Sequence, residues 1–156
     1  MPTTEADRRF PTAGNSGKLP ASMPADYAQT RFFTSDLVAA WPSQFAIITA
    51  CATTGETWTA ARNAAADEAL EAVLRQKGCE ITRITGYSPV TLHAEPGWAV
   101  ALGFDTACEL GLCFRQDAIY YVVDGTLYVS HCDAPRRCLI PIGPFFPRLH
   151  VAGPQC

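Results

Sequence analysis

The sequence has few charged residues and no cluster of basic ones. Charged side chains make up 17% of its 156 residues, and 12 Lys and Arg against 15 Asp and Glu give a formal net charge of −3. The only adjacent basic pairs are Arg8-Arg9 and Arg136-Arg137. Because binding to nucleic-acid phosphates requires several clustered cations, we expect no nucleic-acid partner.

Long apolar runs are also absent. No segment approaches the roughly 20 apolar residues that a membrane-spanning helix needs. Arg8-Arg9-Phe10 has the form of a twin-arginine export signal, but Pro11 and Asn15 stand where such a signal has an apolar stretch. The seven cysteines are an odd number, which does not suit a closed disulfide framework. We therefore predict a cytoplasmic protein with reduced thiols and no membrane partner.

Motifs for metals and phosphates are missing as well. The sequence contains no Cys-x-x-Cys pair. Cys108 and Cys113 lie about 140° apart around a helix, and His131 and Cys132 point to opposite faces of a strand. Gly55 is the only glycine in its loop, which excludes the P-loop and the dinucleotide fingerprint. We expect no metal site and no cofactor.

The length and the 48% hydrophobic content indicate one globular domain. Residues 1–26 contain four prolines among polar residues and show no period of 2 or 3.6, which predicts a disordered or loosely held tail. Residues 27–150 are predicted to form the domain, and residues 151–156 a short tail. The fold class predicted is α/β, with α+β as the alternative, and consists of a mixed sheet, two helices and a C-terminal β-hairpin.

The most informative segment is the apolar run Phe45–Ala50, which is short and rich in β-formers and predicts a buried strand. A polar loop, Cys51–Thr59, leads from it to a helix. Thr59 is the expected N-cap of this helix and Gly78 its left-handed C-cap. Four residues form its apolar stripe and four charged residues its opposite side: Ala66, Leu70, Val73 and Leu74, against Asp67, Glu68, Glu71 and Arg75.

Further strands are predicted at Thr30–Thr34, as an edge strand, at Glu80–Thr85 and at Trp98–Leu102, with a turn at Gly86–Pro89. Thr106 and Glu109 have the spacing of a capping box and predict the start of a second helix.

The dipeptide Asp124-Gly125 predicts a tight hairpin between Ala118–Val123 and Thr126–Ser130. One side of the hairpin is nearly all apolar, and we expect that side to cover the core. The register follows from the two-residue turn: Val122 opposite Leu127, Tyr121 opposite Tyr128, and Tyr120 opposite Val129. From Leu139 onward the prolines predict an extended and peripheral segment.

The order of Ile48-Thr49-Ala50, Asn63, Gly86, Glu95 before a strand and Phe114–Ile119 resembles the bacterial domain-of-unknown-function family numbered 3293. The resemblance covers roughly residues 27–130. It implies a compact α/β domain and no reaction. The sequence departs from the family at residues 51–55, where many members have Asn-Pro.

A strand, a polar loop and a helix N-terminus in succession are typical of ligand sites at the edge of an α/β sheet. If the strand at Trp98 runs antiparallel to Phe45–Ala50, Glu95 lies at the same edge as the loop. The candidate ligand-binding residues are Thr49, Thr53, Thr54, Asn63 and Gln116. The alternative is that Asn63 and Gln116 bond to loop backbone and have only an architectural role.

His93 and Glu95 are the candidate catalytic residues. In an extended segment, residues two apart point the same way, so both side chains can face one pocket as an acid–base pair. The alternative is an exposed loop histidine. Cys51 is a further candidate, as a nucleophile with His93 as its base, or simply as a small core residue.

Two classes of function remain open. The first is binding of a small polar ligand, with nucleotide-like molecules included, at the edge after Phe45–Ala50; hydrolysis there has no motif to support it. The second is a non-catalytic protein–protein interaction or regulatory module.

Overall fold

The structure, a computed structural model, describes residues 23–52 and 56–151. These residues form two α-helices and one mixed sheet of eight strands, which confirms the predicted α/β class. In chain order the elements are β1 (Arg31–Thr34), β2 (Gln44–Thr49), α1 (Ala60–Gln76), β3 (Ile81–Tyr87), β4 (Ala94–Val100), α2 (Phe104–Cys113), β5 (Ala118–Val123), β6 (Thr126–His131), β7 (Ile140–Pro144) and β8 (Leu149–Val151).

The strand order is β7-β6-β5-β2-β4-β3-β1-β8, with β1 and β8 as the one parallel pair. The sheet is strongly curled. Phe32 on β1 lies 5.2 Å from Tyr120 on β5, measured between ring centroids, although three strands separate them in the sheet. Phe145, which follows β7, lies 5.5 Å from the Phe32 ring. The short segment Phe146–Arg148 then connects β7 at one edge to β8 at the other.

The curl creates two apolar clusters, one on each face of the sheet. The helix-side cluster lies beneath α1 and α2 and includes Ile48, Leu70 and Tyr121. The inner cluster fills the concave face and includes Phe32 and Phe145. Alternating residues of each central strand therefore contribute to different clusters.

The structure confirms the first strand and the first helix. Thr59 Oγ1 accepts a hydrogen bond from Arg62 N at 3.1 Å, as expected of an N-cap. Gly78 has φ +74°, the left-handed conformation of a C-terminal cap. Leu70 and Leu74 are fully buried.

The hairpin is confirmed in its register. Val122 pairs with Leu127, Tyr121 with Tyr128, and Tyr120 with Val129. Asp124 and Gly125 have φ of 48° and 80°, the conformation that a tight two-residue turn demands. The prediction that one side of the hairpin covers the core was wrong, because the sheet curls and buries both sides.

Several boundaries differ from prediction. β1 is not an edge strand, because β8 pairs with its outer side. The second helix begins at Phe104, with Gly103 as its cap and no side-chain capping bond, so the Thr106 capping box was wrong. The ladder between β3 and β4 continues through Gly86 and Glu95, so Glu95 lies within a strand and the turn begins after Tyr87.

Two residues are more buried than their sequence context suggests. Phe145, in the segment predicted to be peripheral, is fully buried because the chain crosses the open end of the curl there. Asp67, predicted on the solvent side of α1, is also buried. The cause is an ion pair described below.

Candidate functional site

A cavity of about 220 Å³ opens at one end of the concave face, and we call it the inner cavity. Its walls are apolar and come from Tyr27, Phe32, Ile47 and Tyr120. Its polar groups come from the segment before β1, from strand ends and from the loop before β4: Asp26, Thr30, Thr49, Ser88, Thr91, His93 and Glu95. Apolar walls with a few polar groups are typical of small-molecule sites.

A glycine creates part of this space. Gly86 on β3 stands directly opposite Glu95 on β4 and also lines the cavity. A Cβ atom added at position 86 would lie 3.5 Å from Thr30 Cγ2 and 3.6 Å from Phe32 Cε1, ordinary contact distances. A larger side chain at this position would therefore occupy the cavity.

His93 and Glu95 stand together at the mouth of the inner cavity. His93 Nε2 lies 3.1 Å from Glu95 Oε1, and the two side chains are 71% and 36% exposed. This confirms that the two side chains point the same way. They also line a second, wider cavity of about 800 Å³, the helix-side cavity, which includes Cys51, Asn63 and Asp67. The His93–Glu95 pair thus separates two openings of the surface.

Gln116 and Asn63 lie at the same end of the sheet as His93 and Glu95, but their side chains form hydrogen bonds with the backbone. Gln116 Nε2 donates to Cys51 O at 2.8 Å and to Phe114 O at 3.0 Å, and its Oε1 accepts from Thr49 Oγ1 at 3.0 Å. Ala52 N donates to Asn63 Oδ1 at 2.9 Å. Both amides therefore fix loop backbone, which is the architectural role given above as the alternative to ligand binding.

The remaining predicted residues differ in whether they line a cavity and in whether their side chains are already hydrogen bonded within the protein. Thr49 lines the inner cavity, but its hydroxyl hydrogen bonds to Gln116. Gln116 lines neither cavity. Thr53 and Thr54 lie outside the described residues. Among the predicted residues that the structure describes, His93 and Glu95 line the inner cavity without a side-chain bond to backbone or to Gln116.

The ion pair that buries Asp67 was missed by sequence reasoning. Arg83 on β3 donates to both Asp67 oxygens, at 2.8 and 2.6 Å, and its guanidinium stacks 3.9 Å above the Trp98 ring. The Asp67 carboxylate raises the pKa of Arg83 further. The spacing did contain a signal: Asp67 precedes Leu70 by three residues and Leu74 by seven, which places it on the buried stripe.

Cys51 does not have the environment of a nucleophile. Its thiol donates to Pro96 O at 3.8 Å and is buried. Burial is the main cause that raises the pKa of Cys51 to about 11, and the negative charges of Glu95 and Asp67 add to it. A reactive cysteine requires the opposite shift.

Among residues 23–52 and 56–151, no three His, Cys, Asp or Glu side chains are arranged to hold a metal ion. In the same residues no helix has the length and apolar character to cross a membrane. The six cysteines of the described chain are free thiols.

Comparison with known proteins gives one match. Residues 48–119 match the model of the family described as "Protein of unknown function (DUF3293)", which confirms the predicted resemblance over slightly less than half of the chain. The matched segment contains Thr49, Asn63, His93, Glu95 and Gln116. No curated protein and no solved structure matches the chain. The family description assigns neither ligand nor reaction to these residues.

Proposed function

We propose that this protein binds a small organic molecule in the inner cavity, with Glu95 and His93 as the polar recognition groups. The observation that supports this most directly is the pairing of an apolar cavity with a half-exposed carboxylate at its mouth, opposite a glycine. Such a pocket accepts the apolar body of a ligand while one polar group fixes its orientation.

The size and charge of the cavity restrict the kinds of ligand that it can bind. Its volume of about 220 Å³ lies below the roughly 300–1,000 Å³ of pockets for drug-sized molecules. None of the described residues that line it is Lys or Arg. Phosphate recognition normally relies on such cations or on a helix N-terminus, so the cavity suits a smaller ligand than a nucleotide.

Catalysis is not part of the proposal. Within the described residues, the partner of the His93 imidazole is Glu95, and the Cys51 thiol is held protonated by its raised pKa. A hydrolytic role for His93 and Glu95 would have to use a water molecule as the nucleophile.

Fragment screening by ligand-observed NMR tests the proposal. The wild type is compared with Gly86→Val, which fills the cavity, and with Thr85→Val, which places the same valine side chain on the opposite face of the same strand at nearly unchanged volume. We expect fragments to bind the wild type and Thr85→Val and to lose binding in Gly86→Val. If all hits bind the three proteins equally, or if no fragment of any charge binds, the inner cavity is not a ligand site.

The alternative, an interaction module, has its own supporting observation. Exposed apolar side chains border one shallow groove: Phe33 on β1, Val151 on β8 and Leu92 in the loop before β4. Within residues 23–52 and 56–151 no strand pairs with the outer edge of β8, so a second copy of this chain is the partner we consider. Self-association in sedimentation velocity that Phe33→Asp abolishes would support this alternative, and a monomer at all concentrations would exclude it.

A further inference from the structure

We infer that the ligand of the inner cavity is a small organic cation: an amine with a short aromatic or aliphatic body, whose ammonium group binds Glu95. The inference rests on the proposed function and names its class of ligand. Three independent properties of the cavity lead to it, namely its charge, its hydrogen-bonding groups and its aromatic walls.

The charge of the cavity is negative. Asp26 and Glu95 are among its lining residues, and no Lys or Arg is among the described ones. Arg148 contacts the same wall from outside the lining, where its Nη1 donates to Ala28 O at 2.7 Å and to Thr30 O at 3.2 Å. Nη1 of this guanidinium is therefore occupied by two backbone carbonyls.

Three hydroxyl donors that line the cavity are already used within the protein. Thr30 Oγ1 donates to Asp26 O at 3.2 Å, and Tyr120 Oη donates to Thr30 Oγ1 at 2.7 Å. Thr49 Oγ1 donates to Gln116 Oε1 at 3.0 Å. Glu95, by contrast, offers carboxylate oxygens that only accept. Since an ammonium group only donates, it complements a cavity in which these three hydroxyls are occupied and an anionic acceptor is present.

The walls suit a cation with an organic body. The rings of Tyr27 and Phe32 both pack against Tyr120, with centroids 5.8 and 5.2 Å apart. Aromatic rings attract cations electrostatically and also bury apolar ligand surface. The Tyr120 hydroxyl stays neutral, because burial raises its pKa far above the ordinary value. A volume of about 220 Å³ equals about seven liquid waters, enough for a molecule the size of benzylamine.

The test uses three probes of similar size and different charge: benzylamine, benzyl alcohol and benzoate. Each is titrated at pH 8 into the full chain, and the backbone amide shifts of Gly86, Glu95 and Tyr120 are followed by NMR. We expect benzylamine to bind most tightly, and Glu95→Gln to weaken it by at least about tenfold, because a charge-assisted hydrogen bond is lost. Benzyl alcohol should lose less than about threefold in the same variant.

Glu56→Gln is the matched control, because Glu56 is an exposed carboxylate that lines the helix-side cavity and not the inner one. It should leave benzylamine affinity unchanged. Equal affinities for the amine and the alcohol, preference for benzoate, equal losses in Glu56→Gln and Glu95→Gln, or no binding of any probe would each overturn the amine inference. The proposed function fails separately, when no fragment of any charge depends on Gly86.

Discussion

Gln116 and Glu95 lie at the same end of the sheet and are both polar residues that the sequence marks for a site, but their surroundings differ. Gln116 makes three hydrogen bonds, two of them to backbone carbonyls, and lines no cavity. Glu95 bonds to a single exposed imidazole and lines two cavities. We call the part of this end around Gln116, where polar side chains are bonded within the protein, the closed half. We call the part around Glu95, where polar side chains face the cavities, the open half.

The closed half extends beyond Gln116. Asn63 accepts a hydrogen bond from Ala52 N, and Arg83 donates one to Asp67. The buried Cys51 thiol donates to Pro96 O. Each of these side chains has a partner, and removing one member of a pair leaves the other unsatisfied at a cost. The open half keeps its polar groups near solvent, where the loss of a partner costs little. The comparison therefore predicts that stability and ligand binding respond to different substitutions.

The largest expected effect is that of Asp67→Ala. The substitution leaves the Arg83 guanidinium above Trp98 without its carboxylate, and Arg83 is only 35% exposed. We expect the free energy of unfolding to fall by about 2–3 kcal/mol, less than for a fully buried pair because solvent reaches Arg83. Urea denaturation of Glu68→Ala, an exposed neighbour on the same helix, should differ from wild type by at most about 0.5 kcal/mol. Similar losses in both variants would contradict the role of the ion pair.

The next effect concerns Cys51, the thiol of the closed half. Because its pKa is about 11 instead of 9.0, its thiolate fraction at pH 8 should be about a hundredfold lower than that of an ordinary thiol. Iodoacetamide should therefore modify the exposed Cys113 at least about a hundred times faster, as measured by peptide mass spectrometry. In urea the two rates should become similar. Rapid modification of Cys51 in the folded protein would place it in the open half.

The same shift has a consequence for stability. A thiol with a raised pKa in the folded state binds its proton more tightly there than in the unfolded chain. Its contribution is complete below pH 9 and disappears as the pH rises toward 11. The free energy of unfolding should therefore fall more steeply between pH 9 and pH 11 in the wild type than in Cys51→Ala. Parallel curves for the two proteins would contradict the raised pKa.

Sequence reasoning succeeded where the determinants are local. The hairpin register follows from Asp124-Gly125, because a two-residue turn fixes which residues face each other. The limits of α1 follow from Thr59 and Gly78 in the same way. The pairing of β1 with β8 depends on residues more than 110 positions apart, and no local pattern encodes it.

At the candidate site too, local features could be predicted from the sequence and long-range contacts could not. The sequence predicts Glu95 at the same edge as the loop after Phe45–Ala50 if the two strands run antiparallel, and they do. It does not reveal that Gln116 meets Cys51 O, 65 positions away, since this depends on how the loop folds back. Likewise, the inner cavity exists because the sheet curls until Phe32 reaches Tyr120, a contact 88 positions apart. The pairing of His93 with Glu95 was predictable because the two residues are close in sequence.

Gln116→Ala tests the closed half and should have a moderate effect on stability. It removes the groups that satisfy Cys51 O, Phe114 O and the Thr49 hydroxyl. We expect the free energy of unfolding in urea to fall by about 1–3 kcal/mol, since partly buried polar groups lose their partners. Binding of benzylamine to the folded fraction should change by less than about threefold. A loss of affinity without a loss of stability would mean that Gln116 belongs to the open half.

Glu95→Gln should have the smallest effect on stability and so completes the comparison. Its hydrogen bond with the His93 ring is exposed to solvent, and such contacts contribute little, so we expect the free energy of unfolding to change by at most about 0.5 kcal/mol. Denaturation in urea at pH 8 measures this change, and His93→Ala provides the matched variant on the other side of the pair. A larger loss in both variants would mean that the pair holds β4 in place and that the open half is also architecture. A small loss would mean that the carboxylate at this position is not needed for folding, as its proposed role in ligand recognition requires.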